Sequence, residues 1–160
     1  MIVTISTDAS FSWTMEKGSF AFWIVSNEGK IAKSGMLKKR IHRAEQAEFQ
    51  CILNAVHVLI AADWKNVEKI IINTDCLNVI HLINNNKRAI QKYRLRSWGA
   101  HLVLLFNLML MQSKMRKAKI EFRHIKAHEG TETPKQWVND WCDKEAKKQI
   151  MNHVLKQKLK

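Results

Sequence analysis

Proline occurs once in this 160-residue chain, glycine five times and cysteine three times. Each scarcity excludes something. With so few chain breakers there is no repeat and no Pro-, Gly- or Ser-rich stretch to act as a linker, so a single domain over 1–160 is expected. Its core should run to about residue 150, with a basic helical extension beyond. Cys51, Cys76 and Cys142 are odd in number and form no C-x-x-C pair. A disulfide framework and a zinc finger are therefore not expected, and a reducing, cytoplasmic setting is. The most apolar run, residues 102–111, is far short of the roughly 20 residues that span a bilayer. It is expected to be a buried core helix in a monomer, with a homodimer through that helix left open. No secretory leader is expected, because Met1 leads directly into a strand-like segment.

Acidic residues are also scarce. Asp and Glu total 14 against 27 for Lys and Arg, a net charge of +13. A field of that sign favours polyanions, and nucleic acid is the preferred partner over a membrane surface.

Among those few acids, four occupy costly positions. Asp8 and Asp75 each follow a threonine at the tail of an apolar, strand-like run, IVTIST and KIIINT. Glu48 has Cys51, Ile52 and Ala55 at i+3, i+4 and i+7, so it shares the apolar stripe of a helix. Asp143 lies in a second helix just past a His-containing loop. Buried anions must be paired or bind metal.

Periodicity predicts strands at 2–7, 19–25 and 31–37, the last two joined by a hairpin turn at Asn27-Glu28-Gly29-Lys30. A helix is predicted over 43–62 and a doubly covered strand over 68–74. A short helix follows at 77–83, then a polar, basic connection over 84–92. A long helix is predicted over 94–112, a strand over 120–126 and a loop over 127–134. The final helix is predicted from about 135, fading into a basic tail. The order β-β-β-α-β-α-α-β-α fits an α/β domain with a mixed sheet.

Carboxylates just beyond strand ends fall on the edge where open α/β sheets bind ligands. If Glu48 and Asp143 reach that edge from two helices, four hard oxygen donors converge, a set suited to Mg²⁺. Two ions there could clamp the attacking and departing oxygens of a phosphodiester. Without metal the four acids would repel and raise some of their pKa values. Either Thr-Asp alone reads better as a turn or cap residue; all four acids together favour metal.

Over essentially its whole length the sequence resembles type 1 ribonuclease H. The matching segments are IVTISTDAS with Asp8, HRAEQAEFQCILNAV with Glu48, KIIINTDCLNVI with Asp75, and FRHIKAH followed by VNDWCDKEA, with His128 and Asp143. The resemblance implies a five-stranded sheet in the order 3-2-1-4-5, strand 2 antiparallel. It implies Mg²⁺-dependent endonucleolytic cleavage of the RNA strand of an RNA–DNA hybrid, leaving 5′-phosphate and 3′-hydroxyl ends, with Mn²⁺ left open as a substitute. It also implies that Asp8 bridges two ions and that Glu48 and Asp75 serve the one near the leaving oxygen. Asp143 would join Asp8 on the other, and His128 would assist proton transfer or product release. His124 is expected in a strand with a structural role, and Asn139 and Asp140 at the start of the last helix.

The chain departs from the family at its substrate contacts. The turn after Asp8 reads ASFSWTMEKG, lacking a Gly- and Pro-containing segment, which leaves Ser10 and Ser12 as candidates for the RNA backbone. Gln46 stands where Asn residues often touch the hybrid. A basic handle helix is absent or short, so Lys87, Arg88, Lys92, Arg94 and Arg96 are candidates for phosphate contacts from a shorter connection. Trp13 and Trp137 lie nearest the expected cleft ends. Two other readings stay open: a non-catalytic nucleic-acid-binding module, and a DNA-directed nuclease or resolvase on the same architecture.

Overall fold

The computed structural model describes the backbone of all 160 residues and every side chain except those of Arg96 and Ser97. Arg96, one of the candidate phosphate contacts, therefore lies outside the described side chains. The elements are β1 (Ile2–Ser12), β2 (Lys17–Ser26), β3 (Gly29–Met36), α1 (Ala44–Ala61), β4 (Lys69–Thr74), α2 (Leu77–Ile83), α3 (Lys87–Lys92), α4 (Arg96–Met111), β5 (Lys119–His124) and α5 (Pro134–Lys158). The sheet order is β3-β2-β1-β4-β5. β2 runs antiparallel to both neighbours, while β1–β4 and β4–β5 are parallel.

Alternation along β2 assigns the two faces. Phe22 and Ile24 join the larger core with Val3, Ile5, Ile70, Ile72, Phe49 and Phe106. Ala21 and Trp23 turn the other way, against Cys142, Ala146 and Trp141 of α5. The sheet is thus covered by α1 and α4 on one face and by α5 on the other. The continuous apolar run of β4 reflects this: Ile70, Ile71 and Ile72 are all buried.

Several boundaries differ from expectation. β1 continues to Ser12, because its far half still pairs with β2 after β4 has ended. Asp8, Ser10 and Ser12 are therefore strand residues, and the turn shrinks to Trp13–Glu16. The connection over 84–92 contains a helix, α3, started by the Asn86 side chain accepting from the Ala89 N–H at 3.2 Å. The last helix begins at Pro134, which the expected loop had included. Thr133 and Gln136 form a reciprocal capping box there, with Pro134 in the first turn. Asn139 and Asp140 consequently lie in the second turn and cap nothing.

The 102–111 segment is a core helix on one face only. Leu102, Phe106 and Leu110 are buried at i, i+4 and i+8, whereas Leu104 and Met111 are more than half exposed. Phe106 ties three elements together through an edge contact with Phe49 of α1 (6.4 Å between centroids) and a tilted contact with Phe122 of β5 (5.8 Å). Phe106→Ala should lower the unfolding free energy by about 3–5 kcal/mol. Urea unfolding checks this, and a loss below 1 kcal/mol would show that α4 is not fastened through this ring.

Candidate metal centre

The β1–β4 ladder stops at Ser6↔Asn73, two residues before Asp8 and two before Asp75. Beyond that point the strands part, and both aspartates stand at the opened edge, Asp75 in the bend before α2. Its backbone is held there by His124, the last residue of β5, whose Nε2 donates to the Asp75 carbonyl at 3.1 Å. Glu48 reaches the same point from the first half of α1. The Ala9 N–H is shared between Asp8 Oδ1 (2.9 Å) and Glu48 Oε1 (3.2 Å), fixing the two carboxylates side by side. One oxygen from each of Asp8, Glu48 and Asp75 lies within 4.8 Å of the other two.

Asp143 stands apart from this trio. It lines the same cleft as Asp8 and Asp75, together with Gln136, Asn139 and Asp140 of α5 and the 125–130 loop. However, its Oδ2 accepts from Lys147 Nζ at 2.7 Å and lies 4.0 Å from His128 Nδ1. His128 takes a left-handed backbone conformation (φ 61°), as does nearby Gly130 (φ 101°), and both residues line the cleft. Neither Lys147 nor the Asp140–Lys144 pair (2.8 Å) was singled out from sequence. The Asp-x-x-x-Lys spacing that brings such residues together on a helix is the signal that would have found them.

The remaining candidates lie outside the cleft lining. Ser12 Oγ is engaged within its own turn, accepting from the Met15 N–H (3.4 Å) and lying 3.3 Å from Thr14 Oγ1. Gln46 Oε1 accepts from the His42 N–H at 2.9 Å, tying down the approach to α1. Ser10 is half-buried opposite Ser19 in the β1–β2 register. Lys87, Arg88 and Lys92 are exposed on α3, and Arg94 on the turn after it. Trp13 is exposed and touches Phe11, whereas Trp137 packs on Trp23.

Electrostatics sets the trio apart from the other acids. Burial, then the charges of Asp75 and Asp143, push the Asp8 pKa from 3.8 up to about 7. Burial, then Asp8 and Asp75, raise Glu48 well above its usual value. Asp75 is raised by burial and then by Asp143. Among the described residues no lysine, arginine or histidine forms an ion pair with any of the three. Glu48 Oε2 is enclosed and has no hydrogen-bond partner. A carboxyl oxygen without a donor, facing two further carboxyl groups, is the donor chemistry of a hard divalent cation, so the residues fit a metal.

A family model described as RNase H matches residues 1–151. No curated protein sequence matches the chain. Among solved structures, an RNase H1 isolated from compost, in complex with an RNA/DNA hybrid, superposes with a TM-score of 0.62 at 13% identity. The match covers 95% of this chain and 99% of that one. The N-terminal RNase H domain of a Mycobacterium tuberculosis protein gives 0.70 at 8% identity, with 98% of each chain covered. RNase H1 from the archaeon Halobacterium salinarum gives 0.55 at 16% identity, covering 95% and 99%.

The raised pKa values carry a pH signature. Between about pH 4 and pH 7 folded Asp8 holds a proton that the unfolded chain has released, so its contribution to metal-free stability falls as pH rises through that window. Asp75 and Glu48 act with the same sign. In chelator at pH 8, Asp8→Asn should therefore melt higher than the wild type by roughly 2–4 °C or more, the equivalent of about 1 kcal/mol for a chain of this size. The gap should close toward pH 4. Thermal unfolding at both pH values reads this, and an equal or lower melting point at pH 8 would contradict the assigned repulsion.

Proposed function

The chain belongs to the RNase H family, and on that premise we propose that it hydrolyses the RNA strand of RNA–DNA hybrids with Mg²⁺. The products would be 5′-phosphate and 3′-hydroxyl ends. The convergence of Asp8, Glu48 and Asp75 at the opened edge of β1 and β4 carries this reading. Asp8, Glu48 and Asp75 would hold one ion, and Asp8 with Asp143 a second. Divalent ions held there would stabilise the charge that develops on the attacking and leaving oxygens of the phosphodiester.

The chain's own residues do the rest. Hydrolysis breaks the bond between phosphorus and the 3′-oxygen, and a proton must reach that oxygen while one leaves the attacking water. His128, whose Nδ1 lies 4.0 Å from Asp143 Oδ2, would hold or pass such a proton. The Ala9 N–H fixes the relative placement of Asp8 and Glu48, and His124 fixes the backbone of Asp75. Phosphate contacts fall to the basic surface, with Lys87, Arg88, Lys92 and Arg94 as the nearest candidates by analogy with a handle. Such contacts give affinity without sequence information and weaken steeply with salt. Discrimination of the RNA strand rests on its 2′-hydroxyls. The whole of 1–160 acts as one unit in this reading, and three free thiols suit the cytoplasm.

A strand-labelled assay on hybrid, duplex DNA, duplex RNA and single strands, with and without Mg²⁺, separates the alternatives. Cutting confined to the RNA of the hybrid supports the proposal. DNA cutting would reassign the chain to a DNA-directed nuclease, and binding without cutting to a non-catalytic module. Asp75→Asn should reduce cleavage at least a thousandfold while hybrid binding persists. His128→Ala should slow turnover roughly 10- to 100-fold without erasing it, somewhat below the usual span of general acid–base contributions. Near-wild-type turnover in Asp75→Asn would remove that carboxylate from the site.

A further inference from the structure

The acids gathered at the opened strand edge and those contributed by α5 fall into two electrostatic classes. Asp8, Glu48 and Asp75 form no side-chain ion pair among the described residues, and Glu48 Oε2 receives no hydrogen bond from an N–H or hydroxyl group. The acids contributed by α5 each carry their own lysine one turn further along: Asp140 with Lys144 at 2.8 Å and Asp143 with Lys147 at 2.7 Å. Lys147 contacts the same Oδ2 of Asp143 that faces His128, so the oxygen nearest the catalytic loop is the one already occupied. Lys147 is itself more than half exposed and can swing into water when displaced.

We propose that Lys147 is an internal counter-ion of the fourth carboxylate, a positioning residue that makes the site take up divalent cations in sequence. This rests on the metal-dependent reading above. The trio accepts an ion with no competitor. A cation that binds Asp143 through Oδ2 must displace Lys147, and one that binds through Oδ1 meets the ammonium nearby. Both effects fall on the second binding event far more than on the first. Lys147 thereby sets the metal concentration at which the site becomes fully loaded, without touching substrate. In the metal-free protein the same contact offsets part of the Asp143 charge, the remainder of which still acts on Asp8 and Asp75.

The order of filling can be read without turnover. Mn²⁺ is titrated into the full chain without substrate, with bound ion counted by electron paramagnetic resonance and heats followed by calorimetry. Lys147→Met should tighten the weaker event roughly two- to fivefold, the range expected for a partly exposed ion pair, and leave the tighter event within error of the wild type. Lys147→Arg, which retains the charge, should titrate as the wild type does. Asp143→Asn should lose the weaker event alone. If Lys147→Met leaves both events unchanged, or tightens both equally, the counter-ion role is wrong although the metal site stands. If the wild type binds no Mn²⁺, or if Asp8→Asn binds it undiminished, the metal-dependent reading fails and this inference with it.

Discussion

The mutual repulsion of three enclosed carboxylates governs this molecule. With oxygens within 4.8 Å, each ionised pair repels by about 3–4 kcal/mol at an effective dielectric near 20. A chain with 27 lysines and arginines could have relieved that repulsion with a single well-placed side chain. It does so elsewhere: Asp63 is paired with Lys65 and Lys114, Glu121 with Lys69 and Arg123, and Glu16 with Arg40. Among the described residues the trio has no such partner, and Glu48 Oε2 receives no hydrogen bond from an N–H or hydroxyl group, which keeps a doubly charged ion as the compensating charge that fits.

The sheet makes this arrangement possible by ending one ladder early. Up to Ser6, β1 is a central strand with partners on both sides; beyond it, only β2 continues. That release gives Asp8 a rigid backbone and an open flank together. α1 then presents Glu48 from one face of the sheet and α5 presents Asp143 from the other. The cores that fix these helices, Phe49 and Ile52 beneath α1 and Cys142 and Ala146 beneath α5, flank the two acids in sequence. Burial of the neighbours therefore aims each carboxylate.

Much of this was legible in the residues. The strand runs ending in Thr-Asp, and a glutamate sharing a helix stripe with Cys51, Ile52 and Ala55, pointed to acids at one edge. The resemblance supplied the strand order that the pairing shows. Sequence periodicity failed where tertiary pairing overrides local signal. β1 runs on through the polar segment 8–12 because β2 lies alongside, a fact with no local signature. Pro134 reads as a breaker, yet the first turn of a helix tolerates it, and the Thr133–Gln136 box was the available cue. The α3 turn hides in a basic stretch without apolar period. The apolar run of α4 conceals that only its Leu102, Phe106 and Leu110 stripe meets the core.

The division among the acids was the least legible feature and bears most on chemistry. Composition reports a surplus of cations but not where they are withheld. Spacing along α5 predicts that Asp140 and Asp143 meet Lys144 and Lys147, since i and i+4 residues share a helix face. Nothing comparable is available to Asp8, Glu48 and Asp75, which come from three different elements and whose chain neighbours are mostly apolar or uncharged. Locally compensated acids tolerate the absence of metal, whereas acids compensated only through the fold depend on it. On the proposed two-ion reading, a site assembled from both kinds has one position that demands a cation and one that only admits it, and the boundary between them is the contact between Lys147 and Asp143.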